Sequence, residues 1–377
     1  MGTPRYSISE IAAFVGAFVF ISGSTVSTLV FTSDTPQYYL ATTIGALLCL
    51  PQITRGISNR RLIGTSSSVV GGLATISIVH AIFLDKVATF SFAPYGAIAV
   101  ALGMAFAIAI FDRRMFRDLM TVVALVHVAI CAYGLANFQI STDEARFDAL
   151  GVGVALWGEI ALGAIVAAVL SDRFIVLLAS MPCSFIVIAL SQMRGAGIAA
   201  LIASTGAVFL AIPRRLRGSA LTFALLASLT VFILFSTEIS EKINAIFLLD
   251  DQYRGVDAGF SGRFDNWADG LEKFAESPLF GAGLADDTAA FTHNGALKVL
   301  AQLGLPFALF LFHKLTLALI SSWKASDGPT FLSLLAYVSF AMTAPRYINF
   351  QVMPFLGVVA VSVALVRNSQ TPAVPGP

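Results

Sequence analysis

The chain has 377 residues, of which 57% are apolar and only 12% charged, and its mean hydropathy is +0.84. A soluble domain carries about 25% charged residues, so this composition cannot cover a water-facing surface. It excludes soluble dehydrogenases, nucleases and secreted scaffolds, and it reads as an all-α polytopic membrane protein. The 23 Lys+Arg nearly balance the 22 Asp+Glu, so only the placement of charge is informative.

A helix crossing about 30 Å of hydrocarbon needs about 20 mainly apolar residues. On that basis the sequence predicts twelve spans: 8–31, 37–54, 62–84, 92–111, 118–138, 149–170, 174–192, 196–213, 219–237, 295–313, 330–345 and 352–366. The first follows a single Arg5 and is long enough to stay in the membrane, so no cleavable signal peptide is expected. Cys49, Cys131 and Cys183 all fall in apolar runs without metal-ligand spacing and read as small hydrophobes. No internal repeat is visible.

Basic residues sort by side. Fourteen lie at the N-terminus or after even-numbered spans: Arg5, Arg55, Arg60, Arg61, Arg113, Arg114, Arg117, Arg173, Arg214, Arg215, Arg217, Lys314, Lys324 and Arg367. The short loops after odd-numbered spans hold Lys86, Arg146, Arg194 and Arg346. This bias puts both termini in the cytoplasm. The expected organisation is spans one to nine over 1–237, a periplasmic loop over 238–294, spans ten to twelve over 295–366 and a disordered tail over 367–377.

The loop carries eleven acidic residues. Ile239, Ile243, Ile246 and Phe247 share one helical face, and Trp267, Leu271 and Phe274 make a second stripe, so two short amphipathic helices are expected. Pro278, Gly281 and Gly283 should end the second helix in a tight turn. A solvated extracellular cap is the plainer alternative for the whole segment.

Several polar residues stand out against the apolar background. His293 opens span ten; a neutral imidazole there can accept a proton near pH 7. Alternatively, Asn294 caps the helix and His293 only bonds backbone. Arg194 sits in a tight Gly-containing turn between spans seven and eight, where a planar guanidinium suits a diphosphate or simply snorkels to the interface. Arg263 precedes the Trp267 stripe and either joins such a clamp or pairs superficially with Asp265 or Asp257. Arg346 adds another outer positive charge or anchors the headgroup region. Arg254 is a further cation in the acidic loop.

Glu159 lies about 15 Å into span six, facing a cavity or proton path, or protonated and bonded to a neighbouring helix. His127 and His80 are its candidate partners. The pairs Asp250-Asp251 and Asp286-Asp287 read as solvated loop acids rather than a cation site. No phosphate-cradling loop, dinucleotide fingerprint or zinc signature is present.

Four segments occur in a fixed order: MRGAGIAAL at 193–201, GRFDNWADGL at 262–271, SPLFGAG at 277–283 and HNGALKVLAQLG at 293–304. With the long outer loop, this order resembles the O-antigen ligase and polymerase superfamily of bacterial membrane glycosyltransferases, a GT-C-like architecture. The resemblance is most specific over 190–312. It departs at Met193, where such proteins often have Ser, at Gln302 for Glu and at Phe307 for Gly.

The resemblance implies a transfer at the periplasmic face of the bacterial inner membrane without metal or other cofactor. A saccharide on undecaprenyl diphosphate would be the donor, and a hydroxyl of lipid A core or of a growing polysaccharide the acceptor. No nucleic acid is expected as partner, and membrane lipid surrounds the whole. In this mapping His293 is the base, while Arg194 and Arg263, with Arg346 as a further cation, hold the diphosphate. The competing class is a twelve-span transporter or flippase of lipid-linked sugars. Such proteins often show paired halves and midplane sites, whereas these candidates gather at one face.

Overall fold

The computed structural model describes residues 6–31, 36–57, 93–140, 147–149, 154–234, 259–284, 292–344 and 351–368. Ser7 starts the first helix with a reciprocal cap: its hydroxyl accepts from the Glu10 N–H, and its own N–H donates to Glu10 Oε2 at 2.8 Å. Helix α1 (Ile8–Phe18) passes through a π-turn at Val19–Gly23 into α2 (Ser24–Val30). Next come α3 (Leu40–Ile57), α4 (Ala93–Ala109), α5 (Arg113–Ala136), α6 (Val154–Leu170), α7 (Phe174–Ser191), α8 (Arg194–Ala211) and α9 (Arg214–Leu234). An amphipathic α10 (Gly259–Glu276) precedes α11 (Gly295–Lys324), α12 (Gly328–Ala341) and α13 (Val352–Asn368).

The described residues are almost wholly helical. Between α5 and α6 stands one antiparallel hairpin, β1 (Phe138–Ile140) against β2 (Phe147–Ala149), with Phe138 opposite Ala149. Five helical stretches are long and apolar enough to cross a membrane: Ile8–Val30, α5, α7, α8 and α11. Shorter apolar helices lie in α3, α4, α6, α12 and α13. The molecule is a multi-pass helical membrane protein. Every expected span except 62–84 overlaps described helix; that one, with His80, lies outside the described residues.

Two helices form the centre. Every residue from 156 to 171 is buried, and α13 is buried over most of its length. Both are apolar on nearly every side, and here protein rather than lipid covers them. Accordingly α6 packs against α5, α7, α8, α12 and α13, while α13 also meets α4 and α11.

One boundary differs from the sequence expectation at the far end of α11. Helix α11 continues eleven residues past 313, to Lys324, so Lys314 lies inside a helix rather than in a loop. The expected span stops just before Lys314, but the helix carries on because Leu315, Leu317, Leu319 and Ile320 supply further apolar surface.

Helix α11 is also broken. Gly304 has φ 76° and ψ 169°, which frees carbonyls and an N–H that hydrocarbon could not satisfy. The 277–283 turn satisfies them. Ala282 N–H donates to the Ala301 carbonyl at 2.7 Å, Gly283 N–H to Gln302 at 3.0 Å, and Leu305 N–H to Pro278 at 2.8 Å. The contact is backbone to backbone, and a Cβ on Gly304 would lie 2.3 Å from the Leu279 carbonyl oxygen. One on Gly281 would lie 2.3 Å from the Gln302 carbonyl carbon. Thus SPLFGAG and the end of HNGALKVLAQLG form one interlocked unit.

Candidate functional site

Helix α8 begins abruptly. Gln192 takes the left-handed conformation (φ 52°) and ends α7, and Arg194 is the first residue of the next helix. Two glycines fix this turn. A Cβ on Gly158 of α6 would lie 2.7 Å from Met193 Sδ, and one on Gly195 would lie 1.8 Å from Thr343 Oγ1. The Arg194 turn is therefore pressed between α6 and the segment following α12.

The start of α11 meets that same segment. A Cβ on Gly295 would lie 3.0 Å from the Ala341 carbonyl oxygen and 3.5 Å from that of Ala344. Asn294 caps α11, its Oδ1 accepting from the N–H groups of Ala296 at 3.0 Å and Leu297 at 3.2 Å. His293 does not cap the helix. It sits one residue earlier with φ 47°, a left-handed conformation uncommon for a side-chain-bearing residue, and among the described residues its ring makes no hydrogen bond.

Helix α10 completes the group. Arg263, Trp267, Gly270 and Phe274 follow one helical stripe, and a Cβ on Gly270 would lie 2.6 Å from Thr292 Cγ2. Arg263 is thus inside the helix, not ahead of it as the sequence suggested, because the glycines at 259 and 262 do not delay the helix start. Phe264 and Leu271 form an adjacent stripe that is half exposed, as expected of a helix lying on a membrane surface.

Arg263 and His293 feel each other electrostatically. Burial first, and the Arg263 charge second, hold the His293 imidazole below the ordinary histidine pKa. Burial also lowers Arg263, and among the described residues no carboxylate pairs with it. A neutral imidazole beside an incompletely hydrated guanidinium can accept a proton while the cation attracts an anion.

Glu159 belongs to this end as well. Helix α6 begins at Val154, so Glu159 lies only about 8 Å along it, next to the Gly158 that packs on Met193. The sequence reading placed it deeper because it started the span at 149, in what is the β2 strand. Glu159 is buried, at 1% exposure. His127 is committed elsewhere: Nδ1 donates to the Val123 carbonyl at 2.8 Å, and Nε2 lies 3.0 Å from Thr25 Oγ1. Arg346, Arg254 and both Asp pairs lie outside the described residues. Among the described residues no cluster of three or more His, Cys, Asp or Glu is placed to hold a metal ion.

An apolar cavity of about 370 Å³ starts beside this constellation. Gly295, Ala296 and Met342 line one part and Leu311, Lys314 and Leu365 another. Lys314, which the sequence places in a loop, lines this cavity. Its Nζ lies 5.3 Å from the centre of the Phe310 ring. Following the apolar pattern through to Trp323 would have put it inside a helix.

Residues 174–312 match the O-antigen ligase family. The match covers less than half of the chain, from α7 through the break in α11, and it includes Arg194, Arg263 and His293 with all four sequence segments. No curated protein matches the chain. The O-antigen ligase match therefore coincides with the part whose glycines draw α8, α10 and α11 together. Over residues 174–312 the chain is thus similar to the O-antigen ligase family, and its long apolar helices make it a multi-pass membrane protein.

Proposed function

We propose that the chain is an integral membrane glycosyltransferase that moves a saccharide from undecaprenyl diphosphate to a glycan hydroxyl. Its acceptor is lipid A core or a growing polysaccharide, its place the bacterial inner membrane, and its active face the periplasm. Twelve spans with both termini in the cytoplasm and one long periplasmic loop complete the reading. The carrying observation is geometric: His293 stands in a left-handed conformation just before the Asn294 cap of α11, the Arg263 helix packs against the same point through Gly270 and Thr292, and an apolar cavity opens at Gly295 and Ala296.

The chemistry follows from those groups. Breaking a sugar–diphosphate bond develops negative charge on the departing phosphate, which guanidinium groups of Arg194 and Arg263 offset, with Arg346 as a further cation. The acceptor oxygen forms the new bond to the anomeric carbon and gives its proton to His293. The isoprenoid tail lies along the apolar cavity. No metal is required in this scheme, because fixed guanidiniums supply the positive charge.

His293→Asn in cells lacking the native copy tests it. Asn tolerates the left-handed backbone but is no base. The expected result is normal protein abundance, lost glycan product and accumulated lipid-linked donor; unchanged product overturns the assignment of His293. Comparing polymer ladder length with attachment to lipid A core separates polymerase from ligase.

A further inference from the structure

At the opposite end of the bundle lies a larger cavity of about 920 Å³. It is separated from the Arg194 turn by the 18 residues of α8, about 27 Å, so it does not belong to the transfer site. Arg113 at the start of α5 and Arg214 and Arg217 at the start of α9 line it, with Phe209, Leu210 and Phe331 as apolar wall. Trp323, 69% exposed, stands at its edge.

The positive charge here is incompletely offset. Asp172 and Asp327 are the acids in the lining. One oxygen of Asp172 serves two guanidiniums, Arg113 at 3.5 Å and Arg117 at 3.2 Å. Asp327 is occupied in capping α12, its Oδ2 accepting from the Thr330 hydroxyl at 2.8 Å and its Oδ1 from the Thr330 N–H at 3.4 Å. Arg217 is held by the carbonyls of Ile212 at 3.0 Å and Leu210 at 2.7 Å. Arg214 has no hydrogen bond or ion pair among the described residues, and no acid lies in the first turn of α9. Three arginines against two aspartates leave one positive charge beside a greasy wall.

We propose that this cavity binds the phosphodiester headgroup of an anionic phospholipid, with Arg214 and Arg113 on the phosphate and an acyl chain along Phe209, Leu210 and Phe331. Guanidinium forks match phosphate oxygens, and basic pockets between transmembrane helices suit anionic lipid heads. The indole of Trp323 fits the headgroup level. A free phosphate shares the charge chemistry but leaves the apolar wall wet, so the occupant is the lipid.

The test uses the purified full-length protein, stripped of lipid in detergent, and lipid retention by native mass spectrometry. Phosphatidylglycerol is compared with phosphatidylcholine of the same acyl chains and with inorganic phosphate. The expected result is selective retention of phosphatidylglycerol, weakened roughly fivefold to tenfold by Arg214→Gln. Arg214→Lys should restore part of it, and Lys273→Gln on α10, far from this cavity, should leave it unchanged. Equal retention of both lipids by the unmodified protein overturns the proposal without recourse to any variant. So does competition by millimolar phosphate alone, which would make this a free-anion site. Unaltered retention in Arg214→Gln overturns it too.

Discussion

Gly195 and Thr343 touch so closely that a Cβ on Gly195 would lie 1.8 Å from the Thr343 hydroxyl oxygen and 2.7 Å from its Cβ. Moving the hydroxyl alone would not clear the space. This contact holds the Arg194 turn against the chain that follows α12, and Gly295 holds the start of α11 against the same chain.

Gly195→Ala should therefore cost about 1–3 kcal/mol and depress glycan transfer by displacing Arg194. Gly197→Ala is the internal control. Its added Cβ would meet only Ile188 Cγ2 at 3.6 Å, an ordinary contact, and Ala favours a helix over Gly by about 1 kcal/mol. Thermal unfolding in detergent should rank the two in opposite directions from the parent; equal melting would show that the close approach relaxes freely.

Gly304→Ala and Gly281→Ala should each destabilise by about 1–3 kcal/mol or more, since a positive φ and a backbone collision coincide. Their effects should be strongly non-additive, because either change alone opens the shared ladder. Strict additivity in a double-mutant cycle would contradict the interlock.

Asn294→Ala removes the acceptor for two N–H groups at the head of α11 and should cost about 1 kcal/mol. Asn294→Asp keeps that acceptor and should retain most of the stability. Unfolding measured in parallel for both variants checks this.

The pH dependence has a defined sign. In the proposed mechanism His293 acts as a neutral base, and its pKa lies below the ordinary value. Transfer should persist as pH falls through about 6.5, the usual histidine range, and decline only below it. Arg263→Gln removes one of the two causes and should shift that acid limb upward, though burial keeps it below the ordinary range. For stability, the unfolded chain takes up the His293 proton first as pH falls. This contribution is absent above the ordinary histidine range and destabilises the fold below it. A pH–rate profile with the same acid limb in both proteins would show that Arg263 does not act on His293.

The sequence by itself determined the class of molecule, because hydropathy and scarcity of charge are sums that need no partner. It also marked the turn at 277–283 and singled out Arg194, Arg263 and His293, since proline, glycine and isolated cations speak locally. The tertiary structure alone decided where those residues stand. That α11 runs on through Lys314, that Glu159 lies beside the Arg194 turn, and that His127 is satisfied by Val123 and Thr25 all depend on which helix faces which. Hydropathy is a property of one stretch of chain, whereas the fit of Gly195 to Thr343 or of Gly304 to Leu279 belongs to two distant stretches at once.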